Sequence, residues 1–169
     1  VILLGADVVP TDELKYLCEN GYVIAADSGI RHAATLGLTV DLWIGDFDSV
    51  SQGDLDAYAD VPHQTFSPDK DKTDGELAID AALGKKFSQF VLVGSLGGMR
   101  TDHALLNAFQ AVELARGGKD VIMSSGRETA VPLLSGTRAF DLEPGTRFSL
   151  IGFSSLEGVS IEGAKWPLN

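Results

Sequence analysis

Three observations predict an α/β fold. Short apolar runs alternate with stretches whose apolar residues recur at helical spacing. Turns rich in glycine and aspartate separate the two kinds of segment. Near residue 125 the alternation gives way to closely spaced short β runs. The expectation is an open sheet with flanking helices over residues 1–125, followed by a small all-β, sandwich-like domain over 126–169.

VILLGA at 1–6 reads as a first strand, stopped by Asp7 and Pro10. Thr11 caps a helix in which Leu14, Leu17 and Cys18 share a face, and Asn20-Gly21 ends it. The second strand is Tyr22 to Ala26. Asp27-Ser28-Gly29 follows at once and opens a helical pattern through Ile30, Ala33, Ala34 and Leu36 to Gly37. Leu42, Trp43 and Ile44 form a third strand that runs into GDFDS. Ser51 caps a short helix to Tyr58, and residues 63–67 make a strand before Pro68. Thr73 and Glu76 form a capping box ahead of the stripe Leu77, Ala78, Ala81 and Ala82. Phe90 to Val93 is the next strand, and Thr101 or Asp102 caps a helix through Leu105, Phe109 and Val112 to Gly117-Gly118. Val121 to Met123 is a further strand, so the strand, turn and helix succession is that of a Rossmann-like open sheet. After it come TAVPLL, RAFDL, RFSLIGF and GVSIEGA.

The chain has 169 residues, 44% of them hydrophobic, enough for one ordinary core or one domain with a small appendage. Thirteen basic residues against 24 acidic ones give a net charge of -11, which argues against nucleic acid or an anionic membrane as partner. A lone cysteine, Cys18, excludes an internal disulfide, reads as a small buried apolar residue and suits a reducing, cytoplasmic setting. No apolar stretch reaches the roughly 18 residues of a spanning helix, and no signal peptide is visible, although a start at Val1 suggests a trimmed chain.

Four acidic stretches fall at the ends of apolar runs or the starts of helical patterns: AADSG at 25–29, GDFDS at 45–49, DKDKTD at 69–74 and RTDH at 100–103. Ligands of open α/β sheets bind at the carboxyl ends of strands. A lone Asp-x-Asp is more often a turn in which carboxylates bond to nearby backbone, and Asp27, Ser28 or Asp74 alone could be helix-start residues. Four such stretches on one sheet instead imply a hard divalent cation such as Mg2+, held by carboxylates and substrate phosphates. Lys70 and Lys72, interleaved with Asp69 and Asp71, suit a metal-bound polyphosphate that presents both signs of charge. Gly94, Gly97 and Gly98 allow close approach to a ligand, although neither a GxGxxG nor a Walker P-loop is present. Arg100 matches phosphate oxygens with its planar fork. His103, on the first turn of its helix, is either part of the site or a helix-start residue bonded to a carboxylate.

These motifs, in this order and followed by a β-rich tail ending in GAKWPL, resemble the thiamine pyrophosphokinase family over nearly the whole chain. The resemblance implies transfer of a pyrophosphoryl group from ATP to the hydroxyl of thiamine, with Mg2+, in a homodimer. Carried over by position, Asp46, Asp48 and Asp71 are the metal ligands and, with Arg100, the catalytic set. Asp27 and Asp74 join the acidic cluster beside Ser28, while Lys70, Arg100, Asp102 and His103 meet phosphates or order the groups that do. Trp166 faces the cationic thiazolium ring of thiamine by cation–π attraction, or else plugs the β domain. Met99 separates Gly98 from Arg100 where the family reads Gly-Gly-Arg, a one-residue offset. The family also continues past GAKWPL, so the β domain is expected to lack its end. Two rivals remain at this point. DFDSV also fits a haloacid-dehalogenase-like phosphatase, with Asp46 as nucleophile, although that signature belongs on a first strand. The other is a non-catalytic nucleotide- or metal-sensing module.

Overall fold

The computed structural model describes residues 1–69 and 71–168; Lys70 and Asn169 lie outside the described residues. Among the described residues seven strands form one sheet: β1 (Ile2–Leu3), β2 (Ile24–Ala26), β3 (Leu42–Gly45), β4 (His63–Thr65), β5 (Gln89–Val93), β6 (Asp120–Ser124) and β7 (Thr129–Ala130). Their order is β4-β3-β2-β1-β5-β6-β7. All neighbours pair in parallel except β7, which runs antiparallel to β6 at the edge. The helices are α1 (Asp12–Cys18), α2 (His32–Leu36), α3 (Gln52–Ala57), α4 (Asp74–Gly84) and α5 (Thr101–Arg116), with a 3-10 turn over Asp27–Arg31.

Side chains of a strand alternate between faces, and that period sorts the core into two clusters. Ile2, Leu4, Ile24, Ala26, Ile44, Phe90, Leu92, Val121 and Met123 face one way, against Ala78, Ile79 and Ala82 of α4 and Ala111 and Leu114 of α5. Leu3, Ala25, Trp43 and Val93 face the other way, against Leu14 and Cys18 of α1 and Ala33 and Leu36 of α2. The inner strands β1, β2, β3, β5 and β6 are largely buried on both faces, which is why they read as continuous apolar runs, while the edge strand β4 is exposed. Cys18 lies in the second cluster, buried, with its thiol pushed up to about 11 by that burial, as a structural cysteine requires.

The capping predictions for α1, α3 and α4 hold. Thr11 accepts from the Leu14 amide and Ser51 from the Asp54 amide. Thr73 accepts from the Glu76 amide at 3.3 Å, while the Glu76 carboxylate accepts from the Thr73 amide at 2.8 Å. Gly37 closes α2 in the left-handed conformation, φ 69°. The expected cap on α5 is not made: Arg100 occupies the cap position, and its guanidinium, which donates to Asp102, has no acceptor to offer the first amides of the helix.

α4 carries the chain from the edge strand β4 back across β3, β2 and β1, so that β5 pairs on the far side of β1. The order therefore reverses between β1 and β5, and at such a reversal loops leave in opposite directions and open a crevice at the carboxyl ends of the strands. Gly94, with φ 67°, lets the two loops touch: a Cβ there would lie 2.5 Å from the Leu4 carbonyl oxygen. The Ala6 amide donates to the Gly94 carbonyl at 3.1 Å.

The chain divides into two compact units, Val1–Gly136 and a second from Thr137 onward. The sequence puts the seam at 125/126; the contacts put it after Gly136 because β7 pairs back onto β6. Of the β runs expected over 126–169, β7 is the one strand among the described residues. In the second unit, Phe140, Leu142, Phe148, Leu150, Ile151 and Phe153 are exposed. Its backbone closes local bonds instead, such as Thr146 amide to Glu143 carbonyl at 3.0 Å. A strand is stabilised by neighbours and a buried face, and some thirty residues supply little of either.

Candidate active site

β2 and β3 end side by side, with Ala26 paired to Ile44, so the residues that follow them meet at one edge of the sheet. There Asp27, Asp46 and Asp48 bring carboxylate oxygens within 4.8 Å of one another. Two backbone departures make this possible. Asp27 (φ 45°) and Phe47 (φ 62°) both adopt a left-handed conformation, uncommon for residues with side chains. At Phe47 this turns the ring onto the apolar cluster below, edge-on to Trp43 at 4.9 Å and to His63 at 5.9 Å. An aromatic residue between two aspartates thus anchors the loop.

Asp27 is held from three sides. The Trp43 indole donates to its carbonyl at 2.9 Å. The Ser49 hydroxyl donates to its Oδ2. Gly45 packs against it so closely that a Cβ would lie 3.2 Å from its Cα, Cβ and Oδ1. The remaining oxygen, Oδ1, is buried and has no hydrogen-bond partner among the described residues. Crowding shows electrostatically as well: the charge of Asp46, with its side chain beside it, holds the Asp48 carboxyl above the usual carboxylate range, and Asp27 and Asp74 add to this in smaller measure. The Asp48 amide donates to Asp46 Oδ1 at 3.3 Å, a local bond of the kind a bare turn would make. A turn alone leaves no reason for a third carboxylate with an unpartnered buried oxygen. Three hard oxygen donors that repel one another fit a divalent cation such as Mg2+.

The structure brings together some of the sequence-predicted residues and leaves others apart. Asp46 and Asp48 lie in the cluster, Asp27 joins them as a full member, and Asp71 is not in the group; its side chain is exposed on the loop before α4. Asp74, first residue of α4, is near enough to raise Asp48. Lys70 lies outside the described residues, and Lys72 pairs with Asp80 of α4 at 2.6 Å. Ser28 sits within the 3-10 turn rather than at the start of a long helix.

On the other side of β1, Arg100 grips Asp102 with its fork, Nε to Oδ1 at 2.9 Å and a terminal nitrogen to Oδ2 at 2.7 Å. These bonds hold the Asp102 carboxyl well below the usual range. Both side chains are largely exposed, so the pair orders the guanidinium more than it stabilises the fold. Met99 is fully exposed, in a loop whose Gly97 and Gly98 have φ 68° and 82°. His103 is exposed on the first turn of α5. In the second unit Trp166 is 77% exposed, its ring covered by the Lys165 ammonium at 4.6 Å.

The supporting residues were the ones missed. Trp43 read as core, Gly45 as strand end and Ser49 as part of a motif; only their contacts with Asp27 give them a function. Arg31 and His32 were also missed. They bind the carbonyls of Gly5 and Ala6, the latter at 2.9 Å, and so pin the loop after β1.

Fold and site together define an open, mostly parallel α/β protein with a carboxylate cluster at the carboxyl edge of its sheet. The chain belongs to the thiamin pyrophosphokinase catalytic domain family, whose sequence pattern matches residues 14–123. It is similar to the crystal structure of thiamine pyrophosphokinase from Bacillus subtilis, with 26% identity and a TM-score of 0.61, over 73% of this chain and 58% of that one. It is also similar to a thiamin pyrophosphokinase family protein from Enterococcus faecalis, with 25% identity and a TM-score of 0.62, over 74% and 60% of the two chains. Thiamin pyrophosphokinase from Candida albicans, at 14% identity and a TM-score of 0.51 over 72% and 56%, shares the fold. The chain thus spans less than two thirds of the length of these proteins. No curated protein sequence matches it.

Proposed function

We propose that the protein is a thiamine pyrophosphokinase, moving the terminal pyrophosphoryl group of ATP onto the hydroxyl of thiamine to give thiamine diphosphate and AMP. The observation that carries this reading is the Asp27, Asp46 and Asp48 cluster, which lies at the carboxyl ends of β2 and β3 or just beyond them, inside the family match. Oxygen from the thiamine hydroxyl bonds to the β-phosphorus, the bond from that phosphorus to the oxygen bridging it to the α-phosphate breaks, AMP leaves with that oxygen, and the hydroxyl proton is released to solvent. Such transfers need positioning and charge stabilisation more than covalent help.

Asp27, Asp46 and Asp48 would hold Mg2+, which supplies positive charge for the phosphate oxygens. Asp71 and Asp74, on the loop into α4 and at its start, belong to the phosphate side of the same site. Arg100, oriented by Asp102, offers its remaining N–H groups to phosphate, with Lys70, Ser28 and His103 as further contacts. The second unit is the thiamine-binding part, with Trp166 as its cation-facing ring. A homodimer is supported by Leu105 and Phe109, half-exposed one turn apart on α5. A cytoplasmic setting is supported by the buried free thiol of Cys18. Among the described residues no helix is long and apolar enough to cross a membrane.

The test is AMP formation from ATP and Mg2+ with and without thiamine. The reading expects AMP only when thiamine is present, with one thiamine diphosphate per AMP. Phosphate release from simple monoesters would favour the phosphatase reading, and nucleotide binding without turnover a sensing module. The phosphatase reading is not favoured by the fold, since Asp46 follows the third strand in chain order, not the first.

A further inference from the structure

The carboxylate cluster is only as well aimed as its most constrained member. Asp27 leaves β2 in a left-handed conformation, a strained one for a residue with a side chain. Strain of this kind persists where surrounding groups over-determine the geometry. We infer that Trp43 and Ser49 are positioning residues that clamp Asp27 in this conformation and leave its Oδ1, the oxygen they do not engage, for the ligand; the inference rests on the metal-binding part of the function proposed above.

Trp43 is buried, and a buried indole N–H needs an acceptor. Its acceptor is the Asp27 carbonyl, at 2.9 Å, where β2 stops and the chain turns away from the sheet. That bond fixes the backbone. Ser49 fixes the side chain: its hydroxyl donates to Oδ2, so of the two carboxylate oxygens one is saturated by protein and the other is buried and unpartnered. Ser49 comes from the loop that also carries Asp46 and Asp48. The same bond therefore ties the β2 end to the β3 end and sets the separation of the three carboxylates. Phe47 locks the Trp43 ring from its edge. None of these groups needs to touch the ligand to do this, and partners of ligating carboxylates typically tune metal affinity by 10- to 100-fold.

The experiment is calorimetric titration of the full chain with Mn2+, without nucleotide or thiamine, on the unaltered protein and on Ser49→Ala, Ser49→Thr and Trp43→Phe. Ser49→Ala and Trp43→Phe are expected to weaken Mn2+ binding by about 10-fold or more, and Ser49→Thr, which restores the hydroxyl, to recover most of the loss. The Ser49→Ala melting temperature should stay close to that of the unaltered chain, because the hydroxyl is at the surface. Unchanged Mn2+ affinity in Ser49→Ala, no recovery in Ser49→Thr, or no Mn2+ binding by the unaltered chain each overturns the clamp. Because the readout involves no turnover, the expected pattern supports the clamp even in a chain that releases no AMP.

Discussion

Gly45 ends β3 directly against Asp27: a Cβ at Gly45 would stand 3.2 Å from Asp27 Cα, Cβ and Oδ1, tighter than ordinary contact. The glycine is there because the neighbouring carboxylate occupies the space its side chain would take. Gly45→Ala should push Asp27 by a few tenths of an ångström. The expected cost in stability is about 1–3 kcal/mol, with a loss of Mg2+ affinity larger than that of Gly37→Ala. Gly37, left-handed where Gly45 is not, has nothing within 4 Å of its absent Cβ and should cost only about 1 kcal/mol, without effect on the metal. Thermal melts and Mn2+ titrations of the two variants check the contrast.

Asp27→Asn should move stability and function in opposite directions. Asparagine tolerates the left-handed region at least as well, keeps an oxygen for the Ser49 hydroxyl, and removes one of three crowded negative charges. Without metal the variant should be more stable, by about 0.5–1 kcal/mol, while its Mn2+ affinity falls at least 10-fold. A lower melting temperature without metal would mean that the carboxylate contributes to the fold rather than costing it.

Much of the fold was legible because its physics is local. Strands buried on both faces read as apolar runs, and caps such as Thr11, Ser51 and Thr73 announce themselves by spacing. Asp46 and Asp48 were legible because they directly follow a strand. Full membership of Asp27 in the cluster, without Asp71, was not legible, since it depends on the β2–β3 register and on two left-handed residues that no spacing reveals. Trp43 hid in plain sight, because its apolar ring satisfies the core pattern while its N–H serves the site. The segment after residue 130 is harder to read for a different reason. Its apolar residues have the texture of strands, but a strand is completed by partners that sequence texture does not contain.

Protonation offers an independent check. The charge and side chain of Asp46 hold the Asp48 carboxyl above the usual range. An acid whose pKa is raised by folding holds its proton more tightly in the native state. Its contribution is full below the unfolded value, ~4, and is lost as pH rises through the raised native value. Metal-free stability should therefore carry a falling component with pH just above ~4. Asp102, depressed chiefly by its bonds to Arg100, acts with the opposite sign and at lower pH: it adds stability above the unfolded value that is lost on acidification. In Asp46→Asn the falling component should flatten while the Asp102 component stays. Melting temperatures against pH for both proteins decide this, and an identical slope contradicts the coupling of Asp46 to Asp48.

Arg100→Lys should separate stability from substrate binding. The Arg100–Asp102 pair is exposed, so it adds little to folding and the melting temperature should barely move. A lysine cannot keep both bonds to Asp102 and still present a fork to phosphate. The apparent KM for ATP should rise several-fold, with thiamine dependence unaffected. Unchanged ATP kinetics would place this arginine outside the phosphate site.

The role proposed for the Asp27, Asp46 and Asp48 cluster is pyrophosphoryl transfer with a bound divalent cation. The most direct measurement is the rate of thiamine-dependent AMP formation by Asp46→Asn and by Asp48→Asn, at saturating Mg2+ and beside circular dichroism of each variant. Each substitution removes charge from the site and nothing from the packed clusters. The account predicts turnover lower by at least about 100-fold, ~2.7 kcal/mol in the barrier, in both variants with an unchanged folded spectrum. Turnover within a few-fold of the unaltered protein in both would contradict it.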